Sequence, residues 1–257
     1  TINVSNTTYD RSPYGNDGTL VNMNEGNNTA QGNVNKTGWT SGKYGNALDF
    51  DGSNDYVDCG SDSSVMPDTF TAEMWIKTTD TGSNILVGWA ATETHPVIGP
   101  WSGNRLIIYL GANYYKLFAP ANVADDKWHH VAFVVENDTV YNSKAYVDGQ
   151  ELPVGDTVTS GSPSSKTVCR VGGTGSVSWA YNGSIDELRI YSRALAPEEI
   201  RTHYLRGSGH GASGAITADK FRVVNTSGSV NFIVNNDGTI DVSGNRILNQ
   251  THTMQDE

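Results

Sequence analysis

The chain is short of positive charge: its 257 residues carry 17 Lys and Arg against 28 Asp and Glu, a net charge of −11. Without a Lys/Arg-rich run, nucleic-acid binding is disfavoured, because phosphate affinity depends on clustered cations that release counterions. Long apolar runs are missing too, and nothing approaches the roughly 18 consecutive apolar residues of a membrane span. Thr1 opens a polar stretch without a signal-peptide pattern, as expected of a mature or trimmed chain. Cysteine is scarce. Cys59 and Cys169, 110 positions apart, both lie in strand-like runs, which leaves open one bridge between strands or two separate buried thiols. No C-x-x-C or H-x-x-x-H spacing supports a zinc site.

What is abundant is turn-forming. With 28 Gly and 24 Asn, about one residue in five favours turns over long helices. Eight Asn stand in N-x-S/T: Asn3, Asn6, Asn27, Asn35, Asn137, Asn182, Asn225 and Asn249. They fit either a glycosylated extracellular surface or the plain abundance of Asn, Ser and Thr.

Residues 1–45 hold few large apolar side chains and read as an ordered arm that does not build the core. From Ala47 onward, short apolar or alternating runs recur about every 10 residues, the rhythm of a sandwich. The runs are Ala47–Asp51, Tyr56–Cys59, Phe70–Lys77, Ile85–Trp89, Leu106–Leu110, Tyr115–Phe118, Trp128–Glu136, Lys144–Val147, Thr167–Gly172 and Ser184–Tyr191. In Phe70–Lys77, period two places Phe70, Ala72, Met74 and Ile76 on one face and Glu73, Trp75 and Lys77 on the other, a half-buried strand. Trp128 and alternate residues after it read as core. A single helix signal spans Ala196–Leu205, with Pro197 early and Glu198 and Glu199 in the first turn. Ile200, His203 and Tyr204 would face the body.

Residues 207–214 are a Gly/Ser linker by composition. The segment 215–257 then alternates at Phe221/Val223, Val230/Phe232/Val234 and Ile240/Val242, with turns at 225–228 and 236–238. It is too poor in large side chains to bury much alone, so it is expected to pack on copies of itself, a trimer being one option, or on a larger particle.

Four ordered segments carry a family resemblance: Asp10–Leu20, Gly45–Gly60, Trp128–Val135 with Ala145–Gln150, and Gly183–Ile200. Together they are similar to the laminin-G-like jelly-roll branch of the concanavalin A-like lectin/glucanase superfamily, over about residues 9–206. The resemblance implies an all-β antiparallel jelly-roll sandwich with one short closing helix. It also implies a structural calcium held by Asp10, the Asn16 carbonyl and Asp186; short Asx turns are the alternative that would order the same loop without an ion. Glycosidases of this superfamily carry a Glu-x-Asp-x-x-Glu strand that projects two carboxylates to one face, and this sequence has none. Asp186 and Glu187 are adjacent and should point to opposite faces, and His129 and His130 read as ordinary strand residues.

The chain is therefore read as non-catalytic. Sugars stack C–H faces on aromatic rings and pair hydroxyls with polar groups. The middle of the chain offers Trp89, His95, Trp101, Tyr109, Tyr114, Tyr115, Trp179 and Tyr181 among Asn and Asp. The expected ligand residues are Trp101 and Trp179, in loop contexts, with Tyr114, Trp89 and His95. The partner is a cell-surface glycan or polysaccharide, with neither nucleic acid nor membrane insertion. The segment Ile216–Val223 and the Asn-Asp-Gly-Thr-Ile-Asp-Val run resemble the repetitive β segments of viral tail fibres and surface adhesins. This implies an extracellular, cell-surface or virion location.

Overall fold

The computed structural model describes residues 7–23, 38–90, 96–174 and 179–207, and the backbone of 221–224, 230–234, 240–242 and 245–247. The chain divides into two compact units, Thr1–Gly207 and Ser208–Glu257.

The larger unit is a sandwich of two antiparallel sheets. Among the described residues, one sheet has nine strands in the order Thr7–Thr8, Gly18–Val21, Tyr56–Asp58, Arg170–Val171, Val87–Gly88, Val97–Trp101, Arg105–Gly111, Tyr114–Phe118 and Val154–Thr159. The other has seven, in the order Gln150–Glu151, Thr139–Val147, His129–Glu136, Phe70–Lys77, Asn182–Tyr191, Asn46–Asp51 and Trp39–Ser41. Alternation builds the core between them. Phe70, Ala72, Met74 and Ile76 meet Leu106, Ile108 and Leu110 across the interface, all fully buried. The expected jelly-roll class is thus observed.

Three expectations need correction. The arm does build core: Gly18–Val21 joins the nine-stranded sheet, Trp39–Ser41 joins the seven-stranded one, and Leu20 and Met23 are buried in the core. One strand residue and a methionine suffice, too few for periodicity to register. Next, Phe70–Lys77 is buried on both faces, because the helix Pro197–Gly207 (α1) covers the outward one. Leu195 and Ile200 pack with Ala132, Val134 and Tyr146 on that face. Finally, Trp128 is half-buried, and the core-facing residues of its strand are Val131, Phe133 and Val135.

Local chemistry sets the turns. Asp148 and Gly149 both take positive φ, 50° and 73°, the geometry that a two-residue hairpin needs to match strand twist. The start of α1 is capped by Glu199, which accepts from the Ala196 N–H at 3.0 Å and binds both Arg193 Nη atoms at 2.8 and 2.9 Å.

Among its described residues the smaller unit holds a four-stranded antiparallel sheet, Phe221–Val224, Val230–Val234, Ile240–Val242 and Asn245–Ile247, in chain order. The expected turns at 225–228 and 236–238 lie outside the described residues.

Candidate functional site

The outward face of the nine-stranded sheet carries an aromatic cluster. Because Leu106, Ile108 and Leu110 point into the core, Ile107 and Tyr109 must point out. Register then pairs Tyr109 with Val97 on one side and Tyr115 on the other. Tyr109 and Tyr115 meet edge to face at 5.2 Å. Trp101, at the end of Val97–Trp101, lies 6.3 Å from Tyr109. Trp179 closes the group from a separate segment, 5.1 Å from Trp101 and 6.5 Å from Tyr109. All four rings are half-buried, so each is fixed by neighbours yet keeps a surface for a ligand.

Trp179 is held there at a cost. Its φ is 62°, a left-handed conformation that a bulky side chain rarely adopts. Its carbonyl accepts from the Ile85 N–H at 2.8 Å, which ties the segment to the sheet. The same row of the sheet continues away from the aromatics. Val97 pairs with Gly88, Gly88 with Arg170, and Arg170 with Asp58. Arg170 contacts Asp58 at 3.4 Å and lies 4.6 Å from the Tyr56 ring centroid. A Cβ on Gly88 would come within 3.1 Å of the Thr174 methyl, so the 172–174 segment lies close over the sheet at this glycine. Burial raises the Tyr109 phenol above its ordinary pKa, with Tyr115 adding to the effect, and the hydroxyl therefore stays protonated at neutral pH.

The sequence-derived ligand residues divide. Trp101 and Trp179 come together, although Trp101 ends a strand rather than sitting in a loop. Trp89 is a core residue: it is fully buried, stacks 4.7 Å from Phe70, and donates from Nε1 to the Val65 carbonyl at 2.7 Å. Tyr114 also points inward, its hydroxyl 2.9 Å from Thr139 Oγ1 on the facing sheet. Tyr181, offered as an aromatic, is buried against Phe50. His95 lies outside the described residues. Tyr109 and Tyr115 join the cluster although they are not among the expected ligand residues, because register turns both away from the core.

The outward face of the seven-stranded sheet is different. Under α1, Glu73 is fully buried, accepts from the Tyr191 hydroxyl at 3.0 Å and meets His203 Nδ1 at 2.9 Å and His130 Nε2 at 3.6 Å. Burial opposes its charge, but hydrogen bonds from His130 and His203 outweigh it and hold the carboxyl below the usual glutamate range. His129 is equally engaged, with Asp148 at 2.8 Å and Asp125 at 3.0 Å on its two ring nitrogens. Neither histidine lies in the aromatic cluster.

The three residues expected to hold calcium each have partners within the protein. Asp10 caps its own loop, accepting from the Ser12 N–H, the Ser12 hydroxyl and the Asn16 N–H at 2.6 to 2.8 Å. The Asn16 side chain donates to Ser64. Asp186 instead accepts from the Tyr44 and Glu187 N–H groups, both at 2.8 Å, in the other sheet. Among the described residues, no three His, Cys, Asp or Glu side chains are grouped to hold a metal ion. The strand also bulges between Asp186 and Arg189, with Glu187 at φ 52°, so the simple alternation expected of Asp186 and Glu187 does not apply.

The family profile described as the concanavalin A-like lectin/glucanases superfamily, laminin G type, matches residues 51–201, more than half of the chain. The chain belongs to that superfamily. No curated protein sequence matches it. Among solved structures, domain 4 of an extracellular arabinanase from Geobacillus stearothermophilus, in complex with arabinotriose, is 24% identical, with 64% of this chain and 79% of that one covered and a TM-score of 0.48. The binding domain of Paraclostridial Mosquitocidal Protein 1 is 13% identical, with coverage of 86% and 63% and a TM-score of 0.53. This lectin/glucanase-superfamily chain therefore spans less than two thirds of that protein's length. A Ruminococcus gnavus sialidase carbohydrate-binding module bound to α2,3-sialyllactose is 16% identical, with coverage of 62% and 96% and a TM-score of 0.47.

Proposed function

We propose that the larger unit is a non-catalytic, extracellular glycan-recognition module, and that Trp101, Tyr109, Tyr115 and Trp179 are its sugar platform. The observation that carries this reading is the convergence of four half-buried rings from three strands and one strained segment on one outward sheet face. Rings in that arrangement offer stacking surfaces to C–H faces, while the tyrosine hydroxyls at their edge suit sugar hydroxyls. Superfamily membership supports a carbohydrate ligand, and the sugar-bound relatives named above are consistent with it. Against catalysis stands the sequence itself, which lacks the paired-carboxylate strand of this superfamily's glycosidases.

The smaller unit is proposed to dock the module on a larger assembly or to self-associate, as a tail fibre or surface filament would require. Among the described residues its sheet order ends on Phe221–Val224 and Asn245–Ile247, and a strand at the end of a sheet is a template for pairing.

A glycan array with the full chain tests the platform. Binding is expected for the parent, with Trp101→Ala or Trp179→Ala weakening it about tenfold or more, as the loss of a stacking ring implies. No binding by the parent would favour a purely structural decoration subunit. Turnover of a polysaccharide would favour a hydrolase or lyase instead.

A further inference from the structure

The fold sets the chain's two cysteines side by side. Tyr56–Asp58 and Arg170–Val171 are neighbouring antiparallel strands with Asp58 opposite Arg170, so the next pair along is Cys59 and Cys169. The Cys59 N–H donates to the Cys169 carbonyl at 2.9 Å, and the Cys169 N–H donates to the Gly60 carbonyl at 2.8 Å. Cys59 and Gly60 therefore oppose Cys169 together, as in a bulge. Residues opposed across antiparallel strands have Cα atoms roughly 4.5–5.5 Å apart, inside the roughly 4.4–6.8 Å that a disulfide spans. Both side chains turn the same way: Cys169 belongs to the core and Cys59 packs against it. Cys59 is partly exposed, whereas Cys169 is buried.

We propose that Cys59 and Cys169 form an oxidisable pair that closes to an intramolecular disulfide by exchange with a small-molecule disulfide such as oxidised glutathione. Cys59, the accessible thiol, gives its proton to solvent, and its thiolate attacks one sulfur of the oxidant. The S–S bond of the oxidant breaks and one glutathione leaves as thiolate. Cys169 then releases its proton and attacks the Cys59 sulfur of the mixed disulfide, expelling the second glutathione. Two protein thiols are oxidised to one disulfide, one oxidised glutathione is reduced to two thiols, and the protons balance. The neighbouring Cys59 thiol and burial both raise the Cys169 thiol well above its ordinary pKa, so Cys59 is the thiol that opens the exchange.

The bridge would act where it matters for the outward face. Cys169 precedes Arg170, which stands in the row that leads to the aromatic cluster, and the segment crossing Gly88 follows directly. The thiol chemistry itself does not depend on the glycan reading.

In the full chain, incubation with oxidised glutathione at mildly alkaline pH is expected to abolish both thiols in a titration after unfolding and to lower the mass by two hydrogens. The thermal midpoint should rise by roughly 5–10 °C over the dithiothreitol-treated protein, since the bridge closes a long loop. Cys59→Ser, at the margin of the core, should keep one thiol that titrates only after unfolding, and its midpoint should no longer depend on redox treatment. Two titratable thiols after oxidation, a bridge between chains on a non-reducing gel, or equal midpoints in the two states would overturn the proposal.

Discussion

The two outward faces of the sandwich are built from similar residues and meet opposite fates. Each carries aromatic side chains in alternate positions of adjacent strands. On the seven-stranded sheet the chain returns as α1 and seals Trp75 and His130 beneath Tyr204, with Tyr191 half-buried against His203. On the nine-stranded sheet Trp101, Tyr109, Tyr115 and Trp179 gather with part of each ring left open. An aromatic on a strand therefore says little about function until its cover is known. The covered face bears a fully buried carboxylate tuned by two histidines, a mark of structure. The open face bears a tryptophan in a left-handed backbone, a mark of strain held for another purpose.

The largest test of that contrast is on the covered side. Glu73→Ala removes the group that His130, His203, Tyr191 and Arg189 all approach. Breaking such a buried network costs about 3–5 kcal/mol, so the thermal midpoint should fall by roughly 6–20 °C, with glycan binding unchanged wherever the fold persists. The same carboxyl gives a pH signature. Its pKa is lowered in the folded protein, so its contribution is complete above the unfolded value of about 4.3 and is lost as pH falls through the lower folded value. A melting series on the acidic side should show this loss in the parent and a shallower one in Glu73→Gln. Equal slopes would remove Glu73 from the account.

Trp179→Gly reverses the expectation on the open side. Glycine relieves a left-handed conformation worth about 1–2 kcal/mol while the ring's packing is lost, so the midpoint should stay within about 3 °C of the parent. Affinity for the array-identified glycan should nevertheless drop about tenfold or more. A midpoint collapse with no change in affinity would make Trp179 a structural residue and merge the two faces into one class.

How much of this was legible beforehand follows from the same contrast. The sandwich could be read because Phe70–Lys77 alternates, Leu106–Leu110 is a short apolar run bounded by turns, and the turns carry Asp148-Gly149 chemistry. The site was only half legible. Trp101 and Trp179 stood out as loop-like tryptophans, but Trp89 and Tyr114 were chosen by residue type, and their inward direction depends on register that no single strand reveals. Tyr109 was not legible either, because Ile107 is as apolar as Ile108 and Leu110 and the run alone does not choose its core face. The partnering of Glu73 with His203, 130 positions apart, was beyond any local pattern.

A smaller effect separates Tyr114 from its neighbour Tyr115. Tyr114→Phe loses only the hydroxyl contact with Thr139, worth about 1 kcal/mol, so urea unfolding should register a modest destabilisation and glycan binding none. Tyr115→Ala should do the reverse on binding. If both variants lowered affinity alike, the inward assignment of Tyr114 would fail.

Calcium should give the smallest change. Asp10 already has its oxygens occupied by the Ser12 and Asn16 donors of its own loop, and Asp17 accepts from the Asp10 N–H at 2.9 Å. Bonds of this Asx type order the loop without a cation. A bound ion would have to displace or share those donors, and Asp186 is engaged elsewhere. Chelation is therefore expected to lower the thermal midpoint by no more than about 2 °C, within the effect of one weak ligand site. A drop of many degrees, restored by calcium and absent in Asp10→Asn, would show that the ion and not the loop's own hydrogen bonds holds this edge of the sheet.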